Sequence, residues 1–268
     1  MEPRAITSAT NPRLKQARKL HARRHRQQLG LFLAEGPRVV EAALDAGAPL
    51  DEVFCAATFL ARGGTLAQRL VQSPVPVWRV PDRMLAALAE TEHPQGVVAV
   101  ARIPADAELP SAGAGLLAVA LDGVSDPGNV GTVLRVARGA GADLVILGAG
   151  SCDPLNAKAV RASAGSVFAV PVRRTDSLAT DLAALQSSGA RIVCAAARAA
   201  TVCWRADLTA PVVVVVGSEA HGVSAGVAAM ADEAVAIPMP GGGESLNAGM
   251  AAAIVLYEVR RQRAAAGA

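Results

Sequence analysis

The chain is poor in the residues that build cross-linked or metal-held folds. Of 268 residues only four are Cys and four are His. Cys55, Cys152, Cys194 and Cys203 show no Cys-x-x-Cys spacing and no His nearby, which argues against a zinc site or a disulfide framework. Packed, reduced thiols in a cytoplasmic protein are expected instead, and no metal is implied. No apolar run approaches the ~18 residues needed to span a bilayer. The opening Met1-Glu2-Pro3-Arg4 lacks the basic-then-apolar pattern of a secretory signal. Gly-x-Gly-x-x-Gly after an early strand is missing too: neither residues 122–131 nor Gly148-Ala149-Gly150-Ser151 has that spacing, which disfavours a dinucleotide-dependent oxidoreductase.

Net charge is low, +3, but it is unevenly placed. Residues 1–30 hold eight Lys/Arg (Arg4, Arg13, Lys15, Arg18, Lys19, Arg23, Arg24, Arg26) against Glu2, a balance of +7; the rest carries eighteen basic and twenty-two acidic residues, a balance of −4. A basic terminal helix with His21 and His25 alongside is the footprint of a phosphate-backbone contact, although a charge run alone also fits a solvated helix face.

With 52% apolar residues the chain suits two modest domains. Asn11-Pro12 reads as N-cap and first position of a helix running to about Gln28. Beyond Gly30, strand and helix patterns alternate: strands at 31–34, 52–56, 75–80 and 96–103, helices at 39–46, 59–72 and 82–90. This predicts a small α/β domain over residues 1–103, with the Ala/Pro/Gly-rich stretch 104–115 as linker. Residues 116–268 predict a second α/β domain with six parallel strands at 116–121, 143–147, 168–172, 191–195, 212–216 and 234–238. Helices are expected around 130–139, 156–164, 177–188 and 246–263. The valines at 212–216 fit a central parallel strand covered on both faces. Met250, Ile254 and Tyr257 form one stripe of the last helix, a core or dimer face, and helical spacing favours core. Arg260-Arg261-Gln262-Arg263 reads as a solvated end.

Three blocks carry chemistry. The first is Leu121-Asp122-Gly123-Val124-Ser125-Asp126-Pro127-Gly128-Asn129-Val130-Gly131-Thr132-Val133-Leu134-Arg135-Val136-Ala137-Arg138. The second is the valine strand with Gly217-Ser218-Glu219-Ala220-His221-Gly222-Val223. The third, Ile237-Pro238-Met239-Pro240-Gly241-Gly242-Gly243-Glu244-Ser245-Leu246-Asn247, runs from a strand through three Gly to the mouth of an apolar helix. Such a loop brings bare backbone N–H and C=O groups against a ligand, and Ser245 and Asn247 add side-chain hydrogen bonds there. Taken singly, Asn129 could be a helix cap and Ile237 or Leu246 core packing.

In this order the blocks resemble the signature motifs of the SpoU/TrmH family of RNA ribose 2′-O-methyltransferases, in the SPOUT superfamily, over residues 116–263. The N-terminal part is similar, more loosely, to the ribosomal-protein-L30e-like substrate-binding domain of many members. The resemblance implies a parallel sheet closed by a deep trefoil knot, a homodimer, S-adenosylmethionine as methyl donor, and structured RNA as substrate. Ribosomal RNA, 23S in particular, is favoured over tRNA because the added domain is like those of rRNA-modifying relatives. A non-catalytic RNA-binding relative is the alternative. Cofactor contacts are implied at Val216, Gly217, Ile237, Met239, Ser245 and Leu246, and catalytic or positioning roles at Asn129, Arg135, Glu219, Ser245 and Asn247. Arg135, implied as activator of the 2′-hydroxyl, is a poor base because free guanidinium has a pKa above ~12; stabilising a developing alkoxide is the easier task. RNA contacts are expected at Arg13, Lys15, Arg18, Lys19, Arg23, Arg24, Arg26 and Arg138. The family motif does not need His221. Gly249 stands where relatives often have Ser, and is expected to loosen the helix's first turn.

Overall fold

Local signals place the first elements where the sequence puts them, with one break. Asn11 caps helix α1 (Pro12–Lys19) and accepts from the Arg13 N–H at 2.9 Å, with Pro12 at the first position. The expected single basic helix is two, because the chain turns at Leu20–Ala22. The Arg26 guanidinium fills that turn, donating to the carbonyls of Leu20 (3.0 Å) and His21 (2.7 Å), which the end of a helix leaves without partners.

In a computed structural model residues 3–113 and 115–267 are described; Met1, Glu2, Ala114 and Ala268 lie outside, so part of the opening tetrapeptide read for a signal does too. In chain order the elements are β1 (Arg4–Ala5), α1 (Pro12–Lys19), α2 (Arg23–Leu29), β2 (Leu31–Glu35), α3 (Pro37–Asp45), β3 (Leu50–Ala56), α4 (Ala57–Arg62), α5 (Thr65–Gln72), β4 (Val77–Val80), α6 (Asp82–Ala86) and β5 (Val97–Arg102). There follow β6 (Leu117–Asp122), α7 (Pro127–Gly139), β7 (Leu144–Leu147), α8 (Ala157–Ala162), a 3-10 turn (Ser166–Phe168), β8 (Val172–Arg174), α9 (Leu178–Ser187), β9 (Arg191–Ala195), β10 (Thr201–Val202), β11 (Val212–Gly217), α10 (Ala225–Ala228), β12 (Glu233–Ala236) and α11 (Ala248–Ala266). The helix expected at 59–72 is split in two by Gly63 and Gly64, both at positive φ. The strand expected at 168–172 begins at Val172, since Phe168 closes the 3-10 turn.

The chain forms two compact units, residues 3–105 with 155–168, and residues 106–154 with 169–267. The segment Leu155–Phe168, read from sequence as part of the second domain, thus groups with the first, and the stretch 106–113, read as linker, groups with the second. The first unit is a five-stranded mixed sheet in the order β1-β4-β3-β5-β2, in which β5 runs antiparallel to both β3 and β2. Ring stacking, a close glycine contact and an ion pair help fasten segment 155–168 there. Phe168 stacks on Phe32 with ring centroids 5.6 Å apart, Gly165 lies tight against Ala42 of α3, and the Arg161 guanidinium donates to the buried Glu35 carboxylate at 3.0 Å.

The second unit is a sheet of seven parallel strands, one more than expected, in the order β10-β12-β9-β11-β6-β7-β8. The extra strand, β10, is two residues long and gives no sequence signal. The valines of β11 lie at the centre between β6 and β9, buried throughout, as a sheet covered on both faces requires. Strand order reverses where β11 slots between β9 and β6, and in open parallel sheets ligands bind outside the carboxyl ends at such a switch.

α11 lies along α7. Gly249 meets Thr132 at one end, and Tyr257 meets Gly139 at the other. Gly249 is therefore a close-packing glycine and not a loosened turn: a Cβ there would stand 2.9 Å from the Thr132 side chain. Two expectations for α11 are corrected. Met250, Ile254 and Tyr257 are exposed, not core, because the helix buries Ala252, Val255, Leu256 and Val259 instead. Arg263 is buried and not a solvated tail: it donates to the carbonyls of Gly115, Leu116 and Ala210, tying the helix to the chain just before β6 and β11. Burial lowers its pKa from the ordinary guanidinium value.

Candidate active site

The carboxyl ends of β9, β11 and β12 open into a cavity of about 550 Å³, within the range of roughly 300–1,000 Å³ typical of small-ligand sites. Its walls are the β9 end (Cys194–Arg198), the stretch Val216–Val223 after β11, the loop after β12 (Ile237, Met239, Glu244, Ser245, Leu246) and the first turn of α11 (Ala248, Ala251). All six residues expected to touch the cofactor, Val216, Gly217, Ile237, Met239, Ser245 and Leu246, line it.

Gly217 shapes the middle wall. Residues 218–222 fold straight back on the strand end: Ser218 N–H donates to Gly222 O at 3.0 Å, and Gly222 N–H to Ser218 O at 2.8 Å. A Cβ on Gly217 would sit 2.0 Å from the Gly222 carbonyl carbon and 2.1 Å from Val223 N. Absence of a side chain is what lets this hairpin close and leaves main-chain groups facing the cavity.

Glu219 projects from that hairpin. Its carboxylate accepts a hydrogen bond from the Asn129 amide. Asn129 is 6% exposed, and it is not the cap of α7. Asp126 is: its carboxylate accepts the Asn129 N–H at 2.9 Å, leaving the Asn129 side chain inside the first turn and free to reach Glu219. The Asp126-Pro127 pair, a cap before a proline, is the signal that could have set this start three residues earlier. Asn247 caps α11, accepting from Gly249 N–H (3.0 Å) and Met250 N–H (3.3 Å) at the edge of the cavity.

The remaining expected residues fall elsewhere. Arg135 is exposed on α7 and does not line the cavity, and Arg138 is exposed one turn further on. Among the basic residues of the first unit, Lys15, Lys19, Arg23 and Arg24 are exposed, and Arg18 is half-buried. Arg13 is held by Glu52 at 2.9 Å and over the Trp78 ring at 4.7 Å. Arg26 is 4% exposed, which removes it from any surface contact: its charge serves the turn between α1 and α2. Two charged cavity residues escaped sequence reasoning, Arg198 and Glu244. Arg198 follows a strand end, the place where ligands gather in such sheets, and that position was its only cue.

An open parallel sheet, a glycine-shaped cavity at its carboxyl ends and an Asn129–Glu219 hydrogen bond, buried on the Asn side and exposed on the Glu side, define an α/β protein with a small-molecule-sized cavity beside a polar edge. Residues 116–257 match the SpoU rRNA Methylase family, and residues 11–99 match the MRM3-like substrate binding domain; the chain belongs to the SpoU family. An uncharacterized tRNA/rRNA methyltransferase of Synechocystis is 36% identical, covering 98% of this chain and 95% of that protein. RlmP of Bacillus subtilis, a 23S rRNA guanosine 2′-O-methyltransferase, is 32% identical over 95% of this chain and 98% of its own. The crystal structure of the SpoU methyltransferase AviRb from Streptomyces viridochromogenes with the cofactor AdoMet superposes with a TM-score of 0.85 at 30% identity, covering 95% of this chain and 98% of that one.

Proposed function

We propose that this protein transfers a methyl group from S-adenosylmethionine to a ribose 2′-hydroxyl of ribosomal RNA, most specifically 23S rRNA. The observation that carries the reading is the cavity with the Asn129–Glu219 pair at its rim. Its apolar walls, Val216, Ile237, Met239 and Leu246, suit a purine nucleoside, and the Gly217 hairpin offers main-chain donors and acceptors to it. The donor, when bound, supplies an electrophilic methyl on a sulfonium. The protein's task is placement: an aligned hydroxyl and methyl carbon need little further help, and no metal enters the scheme.

Glu219, fixed by Asn129, is suited to hold a guanidinium or accept from a ribose hydroxyl. Arg135 supplies positive charge for the developing alkoxide or an adjacent phosphate. It does not line its own chain's cavity, so the reading includes a homodimer in which the partner's arginine completes each site. The exposed Met250, Ile254 and Tyr257 on α11, beside Arg135 and Arg138 on α7, support that pairing. Lys15, Lys19, Arg23 and Arg24 serve as the RNA grip of an L30e-like domain spanning about residues 1–103. A trefoil knot formed by the segment around α11, and a cytoplasmic location, belong to the same reading.

Mapping ribose methylations in rRNA from cells with and without the gene is the test. One 23S position should lose its mark, and Asn129→Ala or Arg135→Ala should fail to restore it while melting like the parent. Mixed dimers of Arg135→Ala with Gly217→Ala chains should regain activity at one site of two. Full activity in both single variants would remove the assignment.

A further inference from the structure

Four side chains lining the cavity carry or can carry charge: Arg198, Glu219, His221 and Glu244. Glu219 is engaged by Asn129. Arg198, on the loop after β9, and Glu244, on the glycine loop after β12, are exposed at the cavity and make no ion pair among the described residues. They come from two different loops and belong to neither the hairpin nor α7. The cavity therefore presents one uncommitted guanidinium and one uncommitted carboxylate beside apolar walls.

We propose that Arg198 and Glu244 are specificity residues for the aminoacyl tail of the methyl donor, Arg198 pairing with its α-carboxylate and Glu244 with its α-ammonium. This rests on the function proposed above. The tail is a zwitterion, and its two charges match the two free groups in sign and number. A guanidinium donates two parallel N–H···O bonds to a carboxylate, stronger and more directional than a single-point contact. A purine is satisfied by the apolar walls and main chain, so these charges are left for the part of the ligand that is charged. Such a pair selects nucleosides with an intact amino-acid tail over shortened or decarboxylated ones, because an analogue lacking one charge leaves a cavity charge without its counterpart.

The experiment is calorimetry on the full chain with S-adenosylhomocysteine and with decarboxylated S-adenosylmethionine, for the parent, Arg198→Gln and Glu244→Gln. The parent should bind S-adenosylhomocysteine. Arg198→Gln should weaken that binding about tenfold, the scale of a charge-assisted pair at a partly exposed site, and leave the decarboxylated ligand within about twofold. Glu244→Gln should weaken both, since each keeps the ammonium. Thermal melting should be unchanged in both variants, because both side chains are exposed. Equal loss for the two ligands in Arg198→Gln, or no loss for either, overturns the assignment. So does a loss of rRNA affinity with ligand affinity intact, which would make Arg198 a phosphate contact. Failure of the parent to bind either ligand would sink the function proposal itself, a result distinct from the others.

Discussion

Replacing Gly217 by Ala tests whether the cavity depends on the hairpin folded against its strand. The backbone there is not left-handed, so Ala is conformationally permitted and the problem is purely one of space. The new methyl would stand 2.0 Å from Gly222 C, 2.1 Å from Val223 N and 2.2 Å from Gly222 O, all main-chain atoms that no rotamer change can move aside. Residues 218–222 must swing out by more than about 1 Å, since contacts between carbon atoms settle near 3.5–4.0 Å. That breaks the reciprocal Ser218–Gly222 bonds of 3.0 and 2.8 Å. Two backbone hydrogen bonds at about 1 kcal/mol each, with overpacking strain of about 1–3 kcal/mol, give a cost of roughly 3–5 kcal/mol. If the loss is global, melting falls by about 6–20 °C for a chain of this size. If the hairpin yields locally, the cavity wall carrying Glu219 moves and S-adenosylhomocysteine binding drops more than about tenfold, the equivalent of 1.4 kcal/mol. Scanning calorimetry and titration calorimetry read the two outcomes. An Ala variant that melts within about 1 °C of the parent and binds within about twofold would refute the reasoning.

Arg263→Met should remove the guanidinium from three backbone carbonyls and lower unfolding free energy by about 2–4 kcal/mol in urea denaturation, with little change if the residue were a solvated end. Changing Lys15, Lys19, Arg23 and Arg24 together to Ala should flatten the dependence of RNA affinity on salt by up to about 0.7–0.9 in log–log slope for each phosphate no longer engaged, whereas Arg26→Ala should destabilise the α1–α2 turn and leave that slope alone. Burial pushes the Cys55 thiol up to about 12 and the Cys194 thiol, with Asp122 adding to the effect of burial, up to about 11, from an ordinary 9.0. The folded state thus favours the neutral thiols: their contribution is complete below pH about 9 and is lost as pH rises from there through the folded values. A Cys55→Ala, Cys194→Ala variant should lose less stability than the parent between pH about 8.5 and about 10.5, and equal losses in urea midpoints would contradict this.

Fold and site were legible to different depths. Hydrophobic alternation and glycine punctuation placed the parallel strands of the second unit well, because a strand buried on both faces writes itself as an unbroken apolar run such as Val212–Val216. The cavity-lining residues Val216, Gly217, Ile237, Met239, Ser245 and Leu246 were named through the family resemblance of the three blocks, and the glycine that ends β11 was the local cue beside it. Long-range partners were not. Arg26 and Arg263 look like surface cations in a row of basic residues, and only the turn of one helix into the next, or the return of α11 to Gly115, shows which carbonyls they serve. Met250, Ile254 and Tyr257 have the spacing of a core stripe, and their exposure follows from which face of α11 the fold buries.

The sequence by itself determined the class of fold, the three polar blocks and the glycines between them, because these depend on short-range periodicity and on backbone freedom at single residues. Tertiary structure alone decided that Asn129 reaches Glu219 ninety residues away, that Arg198 and Glu244 share one cavity, and that residues 155–168 dock on the first unit. Contacts between distant segments arise from strand order and helix packing, and no local pattern encodes which of many similar side chains will meet.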